Sequence, residues 1–211
     1  MTVMALPAPR TGSLRQAFRT LLAAFGGLHE EAPEPFVSRA EVVALQGRDP
    51  DAWRELFERE HGAIYRYAAS RLGDGHEAED TTSQVFAHAW ESAHLFEDRG
   101  LPVRAWLFGI ARNVVNGHRR AWQRKAPALR LEDFDIPRHD PGLNDERIDL
   151  ARAIAGLDAG WAEVITLRFI HGLSVQETGE VLGISIDAVK GKQARALAEL
   201  RKKLHLYTSF S

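Results

Sequence analysis

Ser174-Val175-Gln176-Glu177-Thr178-Gly179-Glu180-Val181-Leu182-Gly183-Ile184-Ser185-Ile186-Asp187-Ala188-Val189-Lys190-Gly191-Lys192-Gln193-Ala194-Arg195 is the stretch that decides the fold. Ser174 and Glu177 have the spacing of a capping box, in which each side chain binds the other residue's backbone N–H at a helix start. Gly183 then permits a tight turn, and Ser185 offers a second N-cap. Two helices joined by a glycine turn form a helix-turn-helix signature, whose second helix enters the major groove N-terminus first. Lys190, Lys192 and Arg195, with Gln193 among them, are placed to reach phosphates and base edges. A plain helical hairpin shares the turn. The capping box before it and the basic helix after it favour duplex DNA.

Working outward, helical spacing recurs along the chain and strict alternation is absent, so an all-α protein is expected. Val103 to Lys125 forms a helix with two unlike faces. Leu107, Ile110, Ala111, Val114, Val115 and His118 fill one arc, and Arg112, Asn113, Asn116, Arg119, Arg120, Gln123 and Arg124 the other. Solvated helix faces usually mix signs, and this one carries no acid. Trp106 and Trp122 interleave with the cations, as suits stacking on unpaired bases, although Trp106 taken alone fits a core position better.

The charge map sharpens this. The net charge of -2 hides a separation of sign: residues 26–98 hold 16 acids against 6 bases, while 99–130 hold eight bases and no acid. Clustered cations without anions bind polyanions through counterion release. An acidic stretch follows, and the bases of the last part crowd toward its end.

Four segments are expected. An N-terminal extension, 1–37, carries one amphipathic helix from about Ser13 to Phe25, with Leu14, Phe18, Leu21, Leu22 and Phe25 on one face and Arg15 and Arg19 beside them. Its face suits a membrane surface, a partner or the protein itself, and packing or partner binding is favoured because no dense basic patch accompanies it. A helical domain, 38–125, begins with helices from Ser38, from Asp49-Pro50 to Leu72, and from Glu77 to about Ala93. Trp53, Leu56, Phe57, Ile64 and Tyr65 are expected on one face of the second of these. An acidic, proline-containing linker covers 126–144, and a second helical domain, with the helix-turn-helix, covers 145–211.

The composition excludes several functions. The 211 residues contain no cysteine, so disulfides, thiol catalysis and Cys-ligated zinc are ruled out. No His pair has ligand spacing, His88 and Glu91 form a surface pair, and no nucleophile elbow or phosphate-binding glycine loop occurs. No catalysis, metal or cofactor is expected. No apolar run approaches the ~20 residues of a membrane span, and no signal-peptide pattern opens the chain, so a cytoplasmic protein without stable membrane insertion is expected.

Two sets of residues now match one family. Glu77-Ala78-Glu79-Asp80, Val85-Phe86, Trp90 and Trp106-Leu107-Phe108-Gly109-Ile110-Ala111-Arg112-Asn113 resemble region 2 of the extracytoplasmic-function (ECF) group of bacterial sigma factors. Val164-Ile165-Thr166-Leu167-Arg168-Phe169, Gly172-Leu173-Ser174, Leu182-Gly183-Ile184-Ser185, Ala188-Val189-Lys190, Arg195-Ala196-Leu197 and Leu200-Arg201 resemble region 4. The likeness spans about Ala40 to Leu204, in the family's order. Ser83, Gln84, Gly117, Thr178, Gly179, Gly191 and Gln193 depart from its common residues.

The resemblance implies roles. Glu79, Asp80, Gln84, Phe86 and Trp90 match the surface that binds core RNA polymerase. Phe96, Arg99, Trp106, Arg112, Asn113, His118, Arg119 and Arg120 match the part that melts the −10 element and holds the opened strand. Ser185, Lys190, Gly191, Lys192, Gln193, Ala194 and Arg195 match positions at the −35 element. The implied function is an alternative sigma factor that places polymerase on promoters, with an anti-sigma factor as a further partner that recruits it to the membrane. A stand-alone helix-turn-helix regulator is the alternative, and it leaves Glu77 to Arg124 unexplained.

Overall fold

The computed structural model describes residues 39–97, 102–125 and 153–208, of which 123–125 and 204–208 by backbone alone. The expected N-terminal helix, the acidic linker, the start of the second unit at Asp145, and Arg99 lie outside the described residues. Within them every regular element is helical.

The first unit is built from four helices: α1 (Arg39–Gln46), α2 (Pro50–Leu72), α3 (Gly75–Ser92) and α4 (Val103–Lys125). Asp49 caps α2, accepting from the N–H groups of Asp51 and Ala52 at 3.1 and 2.9 Å, and Pro50 takes the first position, where its missing N–H costs nothing. Asp74 caps α3 by accepting from Glu77 N at 2.9 Å. That carboxylate starts α3 at Gly75, two residues before the expected Glu77, because the N–H an N-cap side chain satisfies lies three positions further on.

Leu56, Ile64 and Tyr67 of α2, Val85 and Ala89 of α3, and Leu107, Phe108, Ala111 and Val115 of α4 form the core. Burying each large side chain contributes about 1.5–3 kcal/mol. Trp53 Nε1 donates to Leu45 O at 3.0 Å and Gln46 Nε2 to Phe96 O at 2.8 Å, which ties α1 to the rest. Glu60 is a buried carboxylate held by Arg59 at 3.3 Å and Arg104 at 3.4 Å, joining α2 to the start of α4. Phe57 departs from expectation: it sits outside the core, 44% exposed.

The second unit contains α5 (Ala159–Ile165), α6 (Val175–Leu182) and α7 (Ile186–Thr208). Asp158 caps α5, accepting from Gly160 and Trp161 N. Beyond Ile165 the helix widens into one π turn, Thr166–Ile170, where His171 N–H reaches Thr166 O, five residues back. Such single turns occur inside α-helices, frequently at functional sites. The capping box of Ser174 and Glu177 forms as read, Gly183 takes the left-handed conformation at φ 67, and Ser185 Oγ accepts from Ala188 N at 3.2 Å.

The two units share a core. Leu167, Leu173 and Val181 pack into the larger cluster with α2 and α4, while Ile154, Leu157, Ile165, Ala196 and Leu200 form a smaller one. The helix-turn-helix therefore docks on the first unit through α6 and the turn before it.

Two glycines make opposite predictions. A Cβ on Gly179 would lie 2.9 Å from the backbone oxygen of Ile184, so α6 meets the turn only because that atom is missing. Gly179→Ala is expected to destabilise the second unit by about 1–3 kcal/mol. A Cβ on Gly117, inside α4, meets nothing within 4 Å, and Gly117→Ala should stabilise by about 1 kcal/mol through helix propensity. Denaturant midpoints of the two variants check both signs.

Candidate nucleic-acid and polymerase interface

On α3, Glu79, Ser83 and Trp90 share one exposed stripe, with Asp80 and Gln84 exposed beside it. Phe86 lies in the same stripe but is buried at 8%, so it shapes the ridge from beneath. It packs 4.8 Å from Phe57, and Trp90 meets Trp53 edge-on at 5.1 Å. Arg48 lies 5.7 Å over the Trp90 ring, held there by a left-handed turn at φ 57. An aromatic ridge rimmed by Glu79, Asp80 and Glu91 has the make-up of a protein interface, where large aromatics carry the energy and charge lies at the rim. Phe57 and its neighbour His61, 4.7 Å away, extend the ridge onto α2. Sequence reasoning missed both, because Phe57 also fits the apolar arc of α2.

The −10 set divides. Asn113 and Arg120 are exposed, and Arg112 and Arg119 half-buried, so together they make the cationic face of α4, while half-buried His118 lies on the opposite arc with Leu107 and Val114. Phe96 is buried at 8% and stacks at 5.0 Å on the half-buried Trp106. These two rings pack on each other near the start of α4 instead of standing open. Trp122 is exposed at the far end of α4. His118 Nε2 lies 3.2 Å from Gln84 Oε1, linking α4 to α3.

The −35 set divides as well. Ser185, Lys190, Ala194 and Arg195 are exposed, and half-buried Gly191 lies on the same side of α7. Lys192 and Gln193 turn toward the protein. The Lys192 ammonium sits over Gly160, where a Cβ would approach it to 2.9 Å. Gln193 Oε1 accepts from Arg168 Nε at 3.1 Å, while Arg168 also donates to Leu173 O. Periodicity explains the split: α7 must bury Val189, Ala196 and Leu200, and Lys192 and Gln193 border that arc.

Arg112 is not free for DNA in this arrangement. Its Nε lies 3.2 Å from Glu163 Oε1, and the same oxygen is 3.4 Å from the Tyr67 hydroxyl and 3.8 Å from Arg71 Nη2. Burial pushes the Tyr67 phenol up to about 12; Arg71 pulls against that and Glu163 adds to it, so Tyr67 is a neutral donor. Beside this cluster His171 is 3% exposed, its ring 4.9 Å from Phe108 and 5.7 Å from Tyr67. Burial, then Arg104, Arg66 and Arg71, push its pKa down to about 3. Glu163, His171, Tyr67 and Arg71 carry no motif, and only the packing of the two units reveals them.

Among the described residues no group of His, Asp and Glu is arranged to hold a metal, and no helix is long and apolar enough to cross a membrane. Two helical units, one with a cationic single-helix face and one with a helix-turn-helix, make up the described part of the chain. The comparisons with known proteins agree. Residues 56–125 match sigma-70 region 2 and residues 153–202 match sigma-70 region 4. The ECF RNA polymerase sigma factor ShbA of Streptomyces griseus is 33% identical over 176 residues, covering 75% of this chain and 90% of ShbA. The ECF RNA polymerase sigma factor BldN of Streptomyces coelicolor is 32% identical over 169 residues, 77% of this chain and 64% of BldN, so the chain spans just under two thirds of that relative. The co-crystal structure of the sigma factor RpoE with the anti-sigma factor NepR from Bartonella quintana superposes with a TM-score of 0.61 at 26% identity, covering 72% of this chain and 96% of that one. The chain belongs to the ECF RNA polymerase sigma factors.

Proposed function

We propose that the chain acts as an alternative sigma factor in which α3, α4 and α7 each hold one partner. The α3 ridge, with Trp90, Phe57, Glu79 and Asp80, docks on core RNA polymerase. The face of α4, with Asn113, Arg112, Arg119 and Arg120, takes the opened −10 strand. The exposed side of α7, with Lys190, Ala194 and Arg195, enters the duplex at the −35 element. The acidic linker 126–144 joins the two units, and the domain limits of the sequence reading, 38–125 and 145–211, belong to this proposal. The reading places the chain in the cytoplasm with polymerase.

One observation carries it: an exposed aromatic and acidic ridge on α3 and an acid-free cationic face on α4 belong to a single unit, the two helices joined by the His118–Gln84 contact. A duplex-binding regulator needs only the second unit. Co-elution of the purified chain with sigma-free core polymerase tests the proposal, and duplex binding without core association would replace it by the stand-alone regulator.

Two variants separate the roles. Asn113→Ala should impair promoter opening while core binding is retained, read by permanganate reactivity of unpaired thymines. Lys190→Ala together with Arg195→Ala should reduce the slope of log K against log salt by about 2, roughly one per lost phosphate contact. An unchanged slope would remove α7 from the duplex. An anti-sigma partner, as in the RpoE complex, is expected to hold the chain inactive, and affinity capture from cells of its source would find it.

A further inference from the structure

Glu163 projects from α5 into the first unit, and one of its two oxygens faces three donors. Oε1 is 3.2 Å from Arg112 Nε, 3.4 Å from Tyr67 OH and 3.8 Å from Arg71 Nη2. Charge-assisted N–H···O bonds ordinarily close to about 2.7–2.9 Å, so the seat is wider than a carboxylate fills. Arg71 Nη2 shows the deficit: it is buried and has no hydrogen-bond partner. Cations exceed anions around it. Arg66, Arg71 and Arg104 surround His171 and Arg112 adjoins them, against Glu60, which pairs with Arg104, and Glu163.

A phosphodiester carries the same single charge on two non-bridging oxygens that stand farther apart on its tetrahedral phosphorus than a carboxylate's do on carbon, one for each of Arg71 and Arg112. The seat is also continuous with the strand-binding face, since Arg112 is adjacent to Asn113 and lies two helical turns from Arg119 and Arg120 on α4. We propose that Tyr67, Arg71 and Arg112 form a phosphate seat for the opened strand, and that Glu163 fills it as an internal anion when the second unit is docked. This rests on the sigma-factor reading above and adds to it Tyr67 and Arg71 as strand-binding residues on α2. Docking of the helix-turn-helix and capture of the strand then exclude one another, because both need the same seat. Leu167, Leu173 and Val181 must leave the shared core for the seat to open, so a strand that takes the seat holds the two units apart.

The chain's lack of cysteine allows clean paired labelling. Glu58→Cys on α2 and Gln176→Cys on α6, both exposed, carry donor and acceptor dyes, and energy transfer reads docking. A mixed-sequence single-stranded oligodeoxynucleotide, and the same oligomer with uncharged methylphosphonate linkages, read the seat. Glu163→Gln should lower energy transfer and raise affinity for the charged oligomer about tenfold, within the usual range of coupling between sites. The gain should vanish on the uncharged oligomer and in the Glu163→Gln, Arg71→Gln double variant. Arg112→Gln opens the contact from the other side and separates lost docking from lost fold: energy transfer should fall with no gain in affinity. Unchanged energy transfer in Glu163→Gln, opening without a gain in affinity, or an equal gain on the uncharged oligomer would overturn the proposal. Failure of the sigma-factor reading would show independently, as a wild-type chain that does not associate with core polymerase.

Discussion

Trp90→Ala is expected to weaken association with core polymerase by about 2–4 kcal/mol, roughly thirtyfold to several hundredfold in Kd. The magnitude follows from what the side chain does on its own protein. Trp90 is 37% exposed, so much of its indole remains for a partner to cover. Its inner edge is fixed by Trp53 and its face by Arg48, and little conformational freedom is left to lose on binding. The helix beneath it buries Val85, Ala89 and Phe86 and does not depend on Trp90 for its fold. Phe57→Ala should act in the same direction with a smaller effect. Titration of labelled core polymerase with each variant, beside thermal unfolding curves, separates binding from stability. A Trp90→Ala chain that binds core as tightly as wild type would remove the ridge from the interface.

Acidification should undock the helix-turn-helix, and His171 sets the window. In the docked form the imidazole is neutral, facing Arg66 and Arg71 from α2, Arg104 from α4, and the Tyr67 and Phe108 rings, with its pKa lowered to about 3. Once the units separate, the ring regains water and an ordinary value near 6.5. The undocked form therefore binds the proton that the docked form refuses, and docking is favoured more strongly as pH rises. Above pH 6.5 the contact is at full strength; between 6.5 and 3 it weakens by up to about 1.4 kcal/mol per unit, or about 2 kcal/mol at pH 5. Both ring nitrogens are buried without a hydrogen-bond partner, so the neutral ring has little to lose on replacement by an apolar side chain. His171→Leu should flatten the pH dependence in this window and leave the units docked at pH 5. Energy transfer between the two units, compared in wild type and His171→Leu across pH 5 to 8, decides it. Parallel curves for the two proteins would rule out His171 as the titrating group.

Helix periodicity and caps made most of the fold legible. Asp49-Pro50 and the Ser174–Glu177 box act over three or four residues, and the structure forms both as the spacing dictates. The start of α3 shifted by two residues because Asp74 caps the helix. The candidate sites were legible where a single helix carries them. The exposed stripe of α3 and the donor face of α4 follow from their helical wheels, whereas Lys192 and Gln193 turn inward because their neighbours Val189, Ala196 and Leu200 claim the core. Tertiary contacts hid the rest. Glu163 and Arg112 are 51 positions apart and Glu163 and Tyr67 96 apart; no local pattern joins them, and the π turn that carries His171 inward has no sequence signature of its own.

Run-off transcription is the measurement closest to the central claim: the purified chain is added to sigma-free core polymerase on a library of genomic fragments from its source. The account predicts discrete start sites that share two spaced upstream elements, lost together in Asn113→Ala and in the paired Lys190→Ala and Arg195→Ala chain. Fragments that bind the chain as duplexes yet yield no specific start, with polymerase unaffected by its presence, would contradict it.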